Sequence, residues 1–99
     1  GGKTTSSYGS KPGILEEFEI ALKHNRPIFL LGGFGGETRR ILDHINKVPG
    51  KEIAGLKQIE FNELNNQVTD KNEIEVLSNS TNIFEIIPIV LRALNNIAK

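Results

Sequence analysis

The sequence of 99 residues contains no cysteine, no methionine and no tryptophan, and it carries no formal net charge at pH 7. Without cysteine, the chain has no disulfide framework, no thiolate nucleophile and no zinc finger. Its 12 basic and 12 acidic residues cancel. This balance excludes a basic nucleic-acid arm and an acidic tail, because either needs a net field of one sign. No nucleic-acid polymer is therefore expected as a partner.

Long apolar runs are also missing. No stretch approaches the roughly 20 residues of a membrane span, and no secretory segment precedes the first residues. We therefore expect a cytoplasmic protein that does not engage a membrane. Apolar residues make up 37% of the chain, which suits one domain with one modest core. The Gly-Gly-Lys start, in place of Met, indicates a piece of something longer.

The first half of the chain predicts helix, strand and helix. Apolar residues recur at helical spacing from Gly13, and Pro27 forbids continuation beyond Asn25. A continuous apolar run then covers residues 27–31, as in a strand buried on both faces. A second helical pattern follows, over residues 37–47.

The second half predicts three further helical segments. A loose apolar periodicity favours a helix over residues 54–66, and Asp70 is placed to cap a short turn that ends near Leu77. The last helix starts at Asn82, with Glu85 positioned for a capping box. Its wide apolar stripe predicts that it is largely buried, and its proline predicts a kink.

A single buried strand cannot form a sheet, because it needs parallel neighbours on either side. We therefore predict an α/β fold: a Rossmann-like, three-layer domain around a parallel sheet. Its first strands are expected before Gly1, so that residues 1–99 would be the C-terminal portion of a single domain.

The strongest functional feature is the glycine loop between the predicted strand and the second helix. Ligands of open α/β sheets bind beyond the carboxyl ends of strands, where the next helix offers free N–H groups to an anion. Two arginines at the start of that helix are placed to pair with a phosphate. The alternative is a tight turn beside solvated arginines. The predicted ligand-binding residues of this loop and helix are Gly32, Gly33, Phe34, Gly35, Gly36, Arg39 and Arg40.

A second candidate is the polar segment at the start of the chain together with the first helix. It offers hydroxyl groups, a lysine charge and a carboxylate one turn into the helix, which is placed to reach a sugar hydroxyl. The alternative is an ordinary acidic residue near a helix N-terminus. The predicted ligand-binding residues here are Gly1, Gly2, Lys3, Thr4, Thr5, Gly13 and Glu17.

Metal and nucleophilic chemistry have no support in the sequence. His24 and His44 have no partner at metal-ligand spacing, so structural roles are favoured for both. No Ser-His-Asp arrangement can be identified. We therefore expect neither a metal nor a cofactor.

The stretch PGILEEFEIALKHNRPIFLLGGFGGETRRIL resembles the SLOG superfamily, which includes the DNA-processing protein Smf/DprA and the LONELY GUY phosphoribohydrolases. The closing segment IEVLSNSTNIFEIIPIVLRAL is similar to the family's last helix. The resemblance implies a Rossmann-like domain that binds a nucleotide-derived molecule. It further implies a sensor of the ADP-ribose or cyclic-ADP-ribose type in a bacterial defence protein, with a TIR or sirtuin-like effector on the same chain or a partner.

Two alternative functions stay open, of which only the first is implied by the resemblance. LONELY GUY enzymes have a contiguous PGGxGTxxE motif, whose matching positions here are Gly1, Gly2, Gly13 and Glu17. Ten residues separate the second glycine from the third, and Ile14 replaces the threonine. A catalytic Glu17 would make the chain an N-glycosidic-bond-cleaving hydrolase or transferase. The other alternative is a self-association module that uses the last helix; a homo-oligomer is expected in either case.

Overall fold

The computed structural model describes residues 13–98, and within that range the regular structure is helical. None of these helices combines the length and the apolarity needed to cross a membrane. Two single-turn 3-10 helices cover Gly32–Phe34 and Phe61–Leu64. The α-helices are α1 Gly13–Lys23, α2 Gly36–Ile45, α3 Lys71–Asn79 and α4 Ile83–Ala98.

The predicted parallel-sheet, Rossmann-like α/β fold is wrong for the part of the chain that is described, which contains no strand and no sheet. The segment 27–31 is extended, but it does not form the continuous series of backbone hydrogen bonds that joins two strands of a sheet. The Ile28 N–H donates to the Leu64 carbonyl, at 2.8 Å. The Ile28 carbonyl instead accepts from the Asn66 side-chain amide, at 2.6 Å. Asn65 and Gln67 have φ angles of 56° and 62°, which breaks the straight backbone that a partner strand needs.

The apolar run 28–31 nevertheless has both of its faces in contact with hydrophobic side chains, as its continuous apolarity predicts. Ile28 and Leu30 belong to a core cluster formed with α1 and α2. Phe29 and Leu31 pack against a second cluster, formed mainly by α3 and α4. Alternate side chains of extended backbone point to opposite sides, so this segment separates the two cores.

The helix predicted over residues 54–66 is wrong as well. That region is a chain of turns with one 3-10 helix, Phe61–Leu64, and Gly55 has a φ of 86°. Ile53, Ile59 and Leu64 are buried in the first core. Their spacing resembles a helical period, although only Leu64 lies in a helix, the 3-10 helix Phe61–Leu64. Within the 3-10 helix, the bond donated by the Glu60 N–H lowers the pKa of the Glu63 carboxyl.

His44 connects this irregular segment to α2. It is buried, and its Nδ1 accepts from the Ile53 N–H at 2.9 Å. Because Nδ1 accepts, Nε2 carries the proton and donates to the Lys57 carbonyl at 2.8 Å. The neighbouring Gln58 amide donates to the carbonyls of His44 and Ile45 at the end of α2. The structural role predicted for His44 is confirmed.

The last two helices begin much as their sequences predict. Asp70 accepts hydrogen bonds from the N–H groups of Asn72 and Glu73 at the start of α3. Asn82 accepts from the Phe84 N–H at the start of α4. The predicted capping box is incomplete, because the Glu85 carboxylate accepts from the Ser80 hydroxyl instead. Helix α4 runs through Pro88, and of its 16 residues only Ile86, Ile89 and Ala93 are buried, which contradicts the prediction for this helix.

Replacing His44 by phenylalanine is expected to lower the free energy of unfolding by about 2–4 kcal/mol, because a buried N–H and a buried carbonyl lose their partner. Chemical denaturation followed by circular dichroism measures the change. His24→Phe is the matched control: His24 is exposed, and we expect a change within about 0.5 kcal/mol. Equal effects of the two variants would contradict the role assigned to His44.

Candidate functional site

The first two glycines of the loop 32–36 lie against the backbone that ends α3. A Cβ on Gly32 would overlap the Ser78 carbonyl oxygen and the Leu42 side chain. A Cβ on Gly33 would overlap the Ser80 carbonyl. Both positions therefore need glycine for the close approach of two backbone segments.

The last two glycines of the loop have a different role. Gly35 and Gly36 have φ angles of 76° and 66°, and a Cβ on either would meet no atom within 4 Å. Gly35 is the N-cap of α2 and provides no side-chain hydrogen bond to the helix. The first turn of α2 therefore has no side-chain cap. It lies at an open surface, next to Phe34, which is 58% exposed. Such an end is suited to an anion.

Arg39 extends from α2 to the end of α3. Its Nη1 donates to the Ser78 carbonyl at 2.8 Å and to Asn79 Oδ1 at 3.0 Å. Its Nε donates to Asp43 at 3.3 Å. These three acceptors take up the hydrogens of Nε and Nη1. The structure therefore assigns Arg39 to holding the glycine loop against α3.

Arg40 is the more accessible of the two arginines. Its only charged partner within residues 13–98 is Glu37, with an Nη1–Oε2 distance of 2.6 Å. The arginine side chain is 55% exposed, and an exposed i,i+3 pair contributes little to stability. Arg40 can therefore exchange Glu37 for another anion near the start of α2.

A groove of about 500 Å³ lies beside Arg39, between the end of α2, the 3-10 helix and α3. The cations Arg39 and Lys71 line it together with Phe61, Ile74 and several amide and hydroxyl groups. Its volume is within the range of small-molecule sites. Sequence reasoning missed this groove, because its residues come from four separate segments with no shared motif.

The predicted residues at the start of the chain are only partly covered. Gly1, Gly2, Lys3, Thr4 and Thr5 lie outside the described residues. Gly13 is the first residue of α1. Glu17 lies on the exposed side of α1, and within residues 13–98 it forms no hydrogen bond or ion pair to the glycine loop. The contact between α1 and α2 is made by the buried Leu15 and Phe18 instead.

No group of three or more His, Asp or Glu side chains suited to a metal ion occurs among the residues that the structure covers. The chemistry available around the glycine loop is therefore that of backbone N–H groups, guanidinium groups and side-chain amides. That set recognises phosphate, ribose and base edges by hydrogen bonds.

Removing the two arginines in turn tests the different roles assigned to them. Arg39→Ala is expected to lower the free energy of unfolding by about 1–3 kcal/mol, because the buried Ser78 carbonyl loses a charged donor. Arg40→Ala should change it by less than about 0.5 kcal/mol. Urea unfolding curves measure both. A larger loss for Arg40→Ala would contradict the assignment.

Comparison with known proteins gives one family match. The model of the family SLOG cluster2 matches residues 1–89. No curated protein and no solved structure matched the chain. The family match covers most of the chain and confirms the resemblance carried by the glycine-rich sequence. The chain belongs to the SLOG family, whose members are nucleotide-related ligand-binding or ligand-modifying domains.

Proposed function

We propose that the chain binds a nucleotide-derived small molecule of the ADP-ribose or cyclic-ADP-ribose type and acts as the sensor part of a bacterial defence protein. The observation that carries this proposal is the start of α2. Two glycines at positive φ open the helix without a side-chain cap, and an exchangeable arginine lies one turn further on. Membership of the SLOG family supports a nucleotide-related ligand.

In this proposal a phosphate accepts hydrogen bonds from the free N–H groups of the first turn of α2. Arg40 leaves Glu37 and forms a charge-assisted hydrogen bond with the same phosphate. Exposed Phe34 provides an apolar surface on which a base or ribose can rest. The predicted residues Gly1, Gly2, Lys3, Thr4 and Thr5 would complete the pocket from the start of the chain, and Glu17 would accept from a ribose hydroxyl.

The loop is well placed to pass a ligand signal onward. Gly32 and Gly33 lie directly on the backbone of residues 78–80, and that turn leads into α4. Because the packed backbones leave no space between them, a shift of the loop requires a shift of this turn. An effector domain on the same chain or on a partner, of the TIR or sirtuin-like kind, would respond to that movement.

The binding test is a calorimetric titration with ADP-ribose and with cyclic ADP-ribose. Arg40→Gln is expected to weaken binding roughly tenfold, because one charge-assisted hydrogen bond is lost. Arg92→Gln is the matched control, since Arg92 is an exposed, ion-paired arginine on α4, and it should leave the affinity unchanged. Adenosine, which has no phosphate, should bind much more weakly.

Two results would contradict the proposal. One is the absence of heat or of any shift in melting temperature with all of these phosphorylated ligands. The other is an equal affinity of wild type and Arg40→Gln for a ligand that does bind.

N-glycosidic cleavage is the second candidate, and one observation favours it. Glu17 is exposed and has no ion-pair partner among residues 13–98, so its carboxylate is available to stabilise a ribosyl cation. The test is release of the free base from nucleoside monophosphates. If Glu17 is catalytic, Glu17→Gln abolishes release while Glu16→Gln, its exposed neighbour on α1, retains it. Absence of turnover in the wild type would reject this function.

A further inference from the structure

Helix α4 has two apolar faces, and only one of them is covered by the protein. Ile86, Ile89 and Ala93 are buried in the second core. On the other side a stripe of large apolar residues is exposed. We call it the α4 outer stripe: Ile83, Phe84, Ile87, Leu91 and Leu94.

The α4 outer stripe is comparable in area to the largest apolar patch of a typical monomeric protein. Its side chains are between 43% and 82% exposed. At about 150–250 Å² for a large side chain, they present on the order of 500 Å². Monomeric proteins rarely expose more than this in one patch. A standard interface buries about 800 Å² on each partner, and roughly 65% of a homodimer interface is apolar. The apolar area of one partner is therefore about 500 Å², which the stripe matches.

Outside α4, the exposed large apolar residues of the described range are Ile14 and Ile20 on α1 and Phe34 in the glycine loop. Residues 1–12 and Lys99 contain no Ile, Leu, Val or Phe. The two charged residues of α4 within the described range lie outside the stripe and are already engaged. Glu85 accepts from Ser80, and Arg92 pairs with Glu73 of α3. The stripe is therefore uncharged, and two copies of it can meet without like-charge repulsion.

Four of the five residues of the stripe are placed symmetrically along α4, whereas Ile83 has no apolar counterpart because position 95 is Asn95. Phe84 and Leu94 lie at equal distances from position 89, and so do Ile87 and Leu91. A two-fold interface pairs residue i with residue j and residue j with residue i. An antiparallel pair of α4 helices centred on position 89 therefore brings Phe84 onto Leu94 of a second copy, and Ile87 onto Leu91.

We infer that the α4 outer stripe is a homodimer interface, in which α4 packs antiparallel on α4 of a second copy of this chain. The dimer axis crosses the helix pair at the level of position 89, on the side opposite the buried Ile89, and the two central contacts are Ile87 with Leu91 in each direction. This inference uses none of the residues proposed to hold the ligand, and it stands or falls separately from the proposed function.

Sedimentation velocity of the 99-residue chain tests the interface. At about 100 μM the wild type should sediment as a dimer, and Leu91→Glu as a monomer with an unchanged helical circular dichroism spectrum. Ile20→Glu is the matched control, because Ile20 is a similarly exposed aliphatic residue on α1, and this variant should remain dimeric. A monomeric wild type, or dissociation of both variants, overturns the inference.

A charge swap tests the register. Ile87→Lys and Leu91→Glu each place an unpaired charge in their own homodimer, so each alone should be monomeric. When the two variants are mixed, the new ammonium group at position 87 of one copy faces the new carboxylate at position 91 of the other, and a heterodimer should form. Failure to form it, with both variants folded, overturns the antiparallel register. The wild-type concentration series needs no variant and decides dimerisation even if a variant does not fold.

Discussion

The close approach of Gly32 and Gly33 to the backbone of residues 78–80 is the contact on which the rest of the structure depends. It brings the start of α2 against the end of α3, although these segments are far apart in sequence. Arg39 closes the same junction by donating to the Ser78 carbonyl and to Asn79. The junction holds the two cores together, because α2 belongs to the first core and α3 to the second.

This junction explains why one glycine-rich sequence serves two purposes. Glycine is required at its first two positions by the neighbouring backbone, and at its last two by positive φ beside an open surface. A single stretch therefore carries both a structural contact and a candidate anion site. In the proposed function, a ligand held at the second pair would act on a turn whose first two glycines are packed against the end of α3.

The functional assignment combines a family membership with a local geometry. The SLOG family establishes a nucleotide-related ligand-binding or ligand-modifying domain. The proposed phosphate site uses the uncapped start of α2 and the exposed Arg40. The proposed dimer interface uses the α4 outer stripe. The two proposals share no residue, so substitutions can test each of them separately.

The sequence by itself determined the elements with strong local signals. Asn25 and Pro27 end α1, Asp70 begins α3, and Asn82 begins α4, because capping and proline effects act over a few residues. It also determined the glycine loop and, through that loop, the SLOG family. The burial of both faces of residues 28–31 followed from their continuous apolarity, without any knowledge of what covers them.

Only the tertiary structure decided how these elements meet. The expected sheet is absent from residues 13–98, because Asn65 and Gln67 bend the segment that contacts Ile28, and a side-chain amide replaces the ladder. In the structure, Arg39 and Arg40 contact different partners and therefore have different roles. The structure also leaves half of the apolar stripe of α4 uncovered. The periodicity of a sequence shows which apolar side chains share one face of a helix. Whether that face is buried depends on which distant segment packs against it.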